Sequence, residues 1–163
     1  MNRLIDSKHW VKLCEPPSAR IIALAHEFYA NLVDHQDSKV VDRGKMVSFM
    51  CTAINAYYGI PDIPKPDEYV TYANEIVDYD AVISALCYQG SVWKLMNGEL
   101  VSFRGSQLLT LAQPWYYFML ANVLPRRHAS DVTKECATLL YAIIQVMTIH
   151  IGHYSQCYVV GYK

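Results

Sequence analysis

Three prolines within six residues, Pro61, Pro64 and Pro66, set the strongest limit on how this chain can fold. Proline lacks the amide donor and its ring clashes with the preceding helical turn, so no helix runs through them. The stretch reads as a stiff, extended connection, the least helical part of the chain and too short to separate two domains. Just before it, Thr52 is placed to cap a short helix carrying Ile54, Tyr57 and Tyr58. Gly59 suits the left-handed position after the last turn, and Pro61 prevents continuation.

Helical periodicity recurs on both sides of this break. Pro16 and Pro17 interrupt the opening segment, Ser18 can cap the next helix, and Ile21, Leu24, Ala25, Phe28 and Leu32 share one helical face that should be core. Asp78 and Asp80 suit a helix N-terminus ahead of Tyr79, Val82, Ile83 and Leu86. Thr110 and Gln113 resemble a capping box, with Pro114 making an irregular start, and Ser130 and Asp131 open a helix burying Val132, Cys136, Leu139, Leu140, Ile143 and Met147. Two turns are hairpin signals: Arg43-Gly44 between Val40-Val41 and Val47 to Phe49, and Asn97-Gly98 between alternating apolar residues. The expectation is a mainly α, single globular domain over 1–163, with about five or six helices and two small β-hairpins.

The 163 residues are enough for one hydrophobic core, and 53% hydrophobic content with 13 tyrosines excludes a disordered chain. Fourteen basic residues against fifteen acidic ones give no global attraction to phosphate or anionic lipid. Five widely spaced cysteines, without a CxxC, read as reduced thiols in an intracellular protein, nucleus and cytoplasm undecided. The start does not resemble a secretory signal, and the longest apolar runs fall short of the ~20 residues that span a bilayer, so no membrane partner is expected.

Few residues suggest chemistry. His150, His153 and Cys157, at i, i+3 and i+7, would share a helical face and could present three zinc ligands, but no fourth is near and Gly152 weakens the helix. Asp62, Asp67, Glu68, Asp78 and Asp80 invite comparison with two-metal carboxylate sites, yet helix capping accounts for them better. Arg126, Arg127 and His128, with Lys134 beyond, form the concentrated basic patch and the candidate nucleic-acid contact, with Tyr116 and Tyr117 as stacking surfaces. The run Trp115, Tyr116, Tyr117, Phe118 and Met119 is either central in the core or buried against a partner. No glycine-rich phosphate loop, cofactor motif or small-molecule site is present, and Cys87 and Cys136 read as buried thiols.

Taken in order, KHWVKLCEPP, EFYANL, V-x-R-G-K-x-V-S-F, AIN-x-x-YGIPDIP, YDAVISALC, GSVWKL and LP-x-x-H-x-S-x-VTKE followed by LLYAI resemble the putative plant transposon protein domain. The resemblance covers about Trp10 to Gly152. Asp42 departs from it, standing where an apolar hairpin residue is usual. The resemblance implies a protein encoded by plant transposable elements, often retroelement-like, or a fragment of a longer polyprotein, and it carries over no catalytic residue. The leading expectation is a non-enzymatic domain, without cofactor, that works through a protein partner or self-association in a Gag-like product. A nucleic-acid-binding accessory domain is the alternative, and a metal-dependent polynucleotidyl transferase stands third.

Overall fold

The computed structural model of the protein describes residues 2–15, 22–63, 66–124 and 130–160. The elements run α1 (Asn2–Ser7), α2 (Ile22–Asn31), β1 (Lys39–Asp42), β2 (Lys45–Ser48), α3 (Cys51–Tyr58), α4 (Glu68–Asn74), α5 (Tyr79–Leu86), β3 (Lys94–Met96), β4 (Glu99–Arg104), α6 (Ala112–Asn122), β5 (Asp131–Thr133), α7 (Lys134–Ile144) and α8 (Ile151–Val160). They form two compact units, Met1–Asp62 with His150–Lys163, and Ile63–Ile149. The eight helices among the described residues exceed the five or six expected, because α1, α4 and α8 add to those read from periodicity.

The first unit is built on two pairings. In one, α2 lies against the hairpin β1–β2, whose strands pair antiparallel from Lys39 with Ser48 to Asp42 with Lys45. Arg43 and Gly44 both take positive φ, 48° and 72°, as a two-residue hairpin turn requires. In the other, α3 packs on α8. α3 begins at Cys51 with Met50 in the cap position, so Thr52 lies inside the helix; the Cys51 amide donates to Gln156 Oε1 of α8 (3.0 Å). Gly59, at φ 70°, closes α3 in the left-handed conformation expected of it.

Asn55 joins α3 to α8. It is 2% exposed, its Oδ1 accepts from the Gly152 amide and its Nδ2 donates to Asp62 Oδ1, each at 3.0 Å. A Cβ at Gly152 would fall on Asn55 Oδ1 and on the Cys51 carbonyl oxygen. Glycine is needed here because two backbones approach closely, and its cost to helix stability is offset by that contact. Ahead of these elements, Trp10 and Leu13 are buried, and Lys12 places Nζ 3.9 Å from the Tyr57 ring centroid while donating to the Tyr57 carbonyl.

The second unit is organised around α7, which packs against α4, α5, α6, β4 and β5. Seven of its residues are buried: Cys136 to Leu140, Ala142 and Ile143. Thr133 is its N-cap, with Oγ1 accepting from the Cys136 amide (3.4 Å). The expected start at Ser130-Asp131 is corrected accordingly, since residues 131–133 add a third strand to the second hairpin, pairing Ser102 with Thr133 and Arg104 with Asp131. Asn97 and Gly98 turn β3 into β4 at φ 54° and 82°. Trp93 sits edge-on to Tyr79 and to Phe103, at 5.5 and 4.9 Å between centroids, and donates from Nε1 to the Tyr79 carbonyl (3.1 Å).

Two acidic residues of this unit, Asp67 and Asp78, cap helices, as the sequence suggested. Asp78 Oδ1 accepts from the Asp80 and Ala81 amides at the start of α5, and Asp67 Oδ1 accepts from the Val70 amide (2.7 Å) at the start of α4. Glu68 and Thr148 clasp each other. The Glu68 amide donates to Thr148 Oγ1 (3.1 Å), and the Thr148 amide donates to Glu68 Oε2 (2.6 Å). At α6 the anticipated capping box does not form: Thr110 Oγ1 lies 2.8 Å from the Tyr88 hydroxyl, and α6 starts at Ala112 without a side-chain cap.

Candidate functional site

The outer face of α2 leaves large apolar side chains exposed. Its inner face is tied to the hairpin by three residues of the EFYANL phrase. Glu27 Oε1 accepts from the Arg43 amide at the turn (2.8 Å), Asn31 Nδ2 donates to the Val41 carbonyl (2.7 Å), and Phe28 meets the buried Phe49 edge-on at 6.1 Å. These contacts lie along one side of the helix. On the opposite side, Ile22 and Tyr29 of α2, with Val33 of the 3-10 turn that continues it (Leu32–Asp34), are 68%, 56% and 85% exposed.

α2 is therefore apolar on two faces, and the expected core face is corrected. Leu24, Phe28 and Leu32 are only half-buried, Ala25 is exposed, no residue of α2 is fully buried, and Ile21 lies outside the described residues. Beside α2, the hairpin buries Val40 and turns the cross-strand partners Val41 and Met46 outward, 47% and 66% exposed. An open cleft of about 500 Å³ is lined by Asn31, Gln36, Asp37, Lys39, Val40, Val41 and Met46. Asp42 Oδ1 in the same hairpin is buried without a hydrogen-bond partner, which costs about 1–3 kcal/mol and fits its departure from an apolar position.

The residues singled out from sequence fall elsewhere. Trp115, Tyr116 and Met119 are buried in the second unit, 4%, 1% and 0% exposed, and the Tyr116 hydroxyl donates to the Asp131 carbonyl (3.1 Å). Of that run, Tyr117 is exposed and Phe118 half-buried. Arg126, Arg127 and His128 lie outside the described residues, and Lys134 sets Nζ 4.6 Å from the Tyr79 ring centroid. Asp62 is bonded to Asn55, and the His153 amide donates to His150 Nδ1 (3.3 Å) at the start of α8; the Cys157 side chain lies outside the description. Among the described residues no group of His, Cys, Asp and Glu has the arrangement to hold a metal ion.

Residues 6–157 match the family described as the putative plant retrotransposon-related domain. The chain belongs to this family. No curated protein and no solved structure matches it. The matched span takes in all the described elements from the 3-10 turn at Lys12–Cys14 through α7 and most of α8, so the match runs through parts of both compact units.

In this domain the buried cysteines read from sequence are buried: Cys87 is 4% and Cys136 1% exposed. Burial pushes the Cys87 thiol from 9.0 up to about 11. At pH 8 only about a thousandth of it is thiolate, so Cys87 should resist a thiol reagent that labels the exposed Cys14 in the native protein. The raised value also makes the Cys87 contribution to stability fully present below pH 9 and lost as pH rises toward 11. Mass-spectrometric mapping of the labelled sites is the check, and rapid native labelling of Cys87 would contradict it. No helix among the described residues is long and apolar enough to cross a membrane.

A second cleft, of about 360 Å³, lies in the second unit and includes Lys94, Arg104 and Asp131 with Ser102 and Gln107, mixing both signs of charge. The outer stripe of α2 is a surface that the periodicity of the core face concealed. Its signal was present in the spacing of Ile22 and Tyr29, with Val33 just beyond, along a helix whose sole charged residue, histidine being neutral, is Glu27.

Proposed function

We propose that this retrotransposon-related domain is a non-enzymatic, intracellular assembly module, a Gag-like part of a plant element's product that works by protein–protein contact. The observation that carries this reading is the exposed apolar stripe Ile22, Tyr29 and Val33, opposite a face already committed to the hairpin. Contiguous exposed apolar surface on a globular protein marks interaction sites. The residues that first suggested chemistry support the same reading: Asp67 and Asp78 cap helices, Glu68 clasps Thr148, and Asp62 binds Asn55.

Sedimentation velocity or light scattering over a hundredfold range of protein concentration tests it. The average mass should rise with concentration and the rise should persist in high salt, because the surface is apolar. A chain that stays monomeric throughout would reject assembly.

A further inference from the structure

We propose that two copies of the chain pair antiparallel through the outer face of α2 and the 3-10 turn Leu32–Asp34 that follows it, an inference that rests on the assembly reading and specifies its surface and partner. The outer stripe is self-complementary about its own middle. Level with the Glu27–Phe28 peptide, Ile22 and Val33 stand at equal distances to either side, as do His26 and Tyr29. Antiparallel pairing about that level sets Ile22 of each copy against Val33 of the other at both ends. His26 and Tyr29 of both copies meet in the middle, and Ala25 and Ala30 flank them, small enough to let the helices approach.

Charge favours the same partner. With histidine neutral at pH 7, Glu27 is the one charged residue in α2, and it is turned to the opposite face, where its carboxylate accepts from the Arg43 amide. With His26 neutral, as at pH 7, two copies of the outer stripe therefore meet without like charges opposed, and a strongly charged partner would find no counter-charge on it. The area sets the strength. From Ile22 to Val33 the contact runs about 18 Å, roughly three helical turns, and covers a few hundred Å² per partner against the roughly 800 Å² of a standard stable interface. A single pair is accordingly weak and builds with concentration, the behaviour an assembly subunit needs when many copies are held close together.

A charge-swap series on the full chain tests the pairing. Ile22→Lys and Val33→Asp each place a charge against an apolar side chain of the other copy, and each should raise the concentration at which self-association is half complete by about tenfold or more. In the double variant I22K/V33D, lysine faces aspartate at both ends, and the midpoint should return to within about threefold of the parent chain. Parallel pairing would instead oppose like charges in the double variant and weaken it further. Both positions are exposed, so circular dichroism of the variants should match the parent. If the parent self-associates and the single variants leave its midpoint unchanged, or if the double variant fails to recover, the pairing is overturned while the assembly reading stands. A monomeric parent overturns both.

Discussion

Gly152→Ala is expected to destabilise the first unit by about 3 kcal/mol, although alanine is the better helix former by about 1 kcal/mol. The new methyl group would stand only 2.4 Å from both Asn55 Oδ1 and the Cys51 carbonyl oxygen, and the second of these is backbone in α3. Overpacking of this kind costs about 1–3 kcal/mol, and separating the helices leaves the buried Gly152 amide and Asn55 carbonyl without each other, a further cost of about 1–3 kcal/mol. Hydrogen exchange would read the change directly, as earlier opening of α3 and α8 amides. Unchanged or increased protection there would show that the helices do not cross at this glycine.

The second large effect is expected at Leu140, which is 0% exposed in α7. Leu140→Ala removes buried apolar volume from the helix against which α4, α5, α6, β4 and β5 all pack, so little nearby structure is free to collapse into the space. A loss of about 3 kcal/mol is expected, within the roughly 2–5 kcal/mol range of such truncations, measured as a lower denaturant midpoint. A loss below about 1 kcal/mol would show that α7 is not the centre of that unit.

What the sequence made legible was whatever depends on neighbouring residues alone. Arg43-Gly44 and Asn97-Gly98 were readable as turns because positive φ is demanded at those points, Gly59 as a helix stop for the same reason, and Asp78 as a cap because its donors lie two and three residues on. What was misread depends on partners distant in the chain. Val132 continues an apolar series that looks helical, but Phe103 pairs with it as a strand residue and Thr133 takes over the cap. Gly152 looked like a defect in a terminal helix until Asn55, 97 residues earlier, supplied the surface it must approach. α1 and α4, with six and seven residues, are too short for periodicity to register. The candidate surface was hidden differently: two apolar stripes on one helix, one including Phe28 and the other Tyr29, blur each other's period.

The first unit is discontinuous in the chain, with α3 covered by a helix that comes after the whole of the second unit. During synthesis, residues 63–149 can close on themselves as soon as they have emerged, since that unit is one continuous stretch of chain. The N-terminal elements emerge earlier but must wait, with Asn55 unsatisfied and the α3 surface open, until Ile151–Val160 arrives. Order of emergence and order of completion are thus reversed. A proteolytic cut just before α8 would therefore leave the later unit's own residues whole and deprive the earlier one of its closing helix.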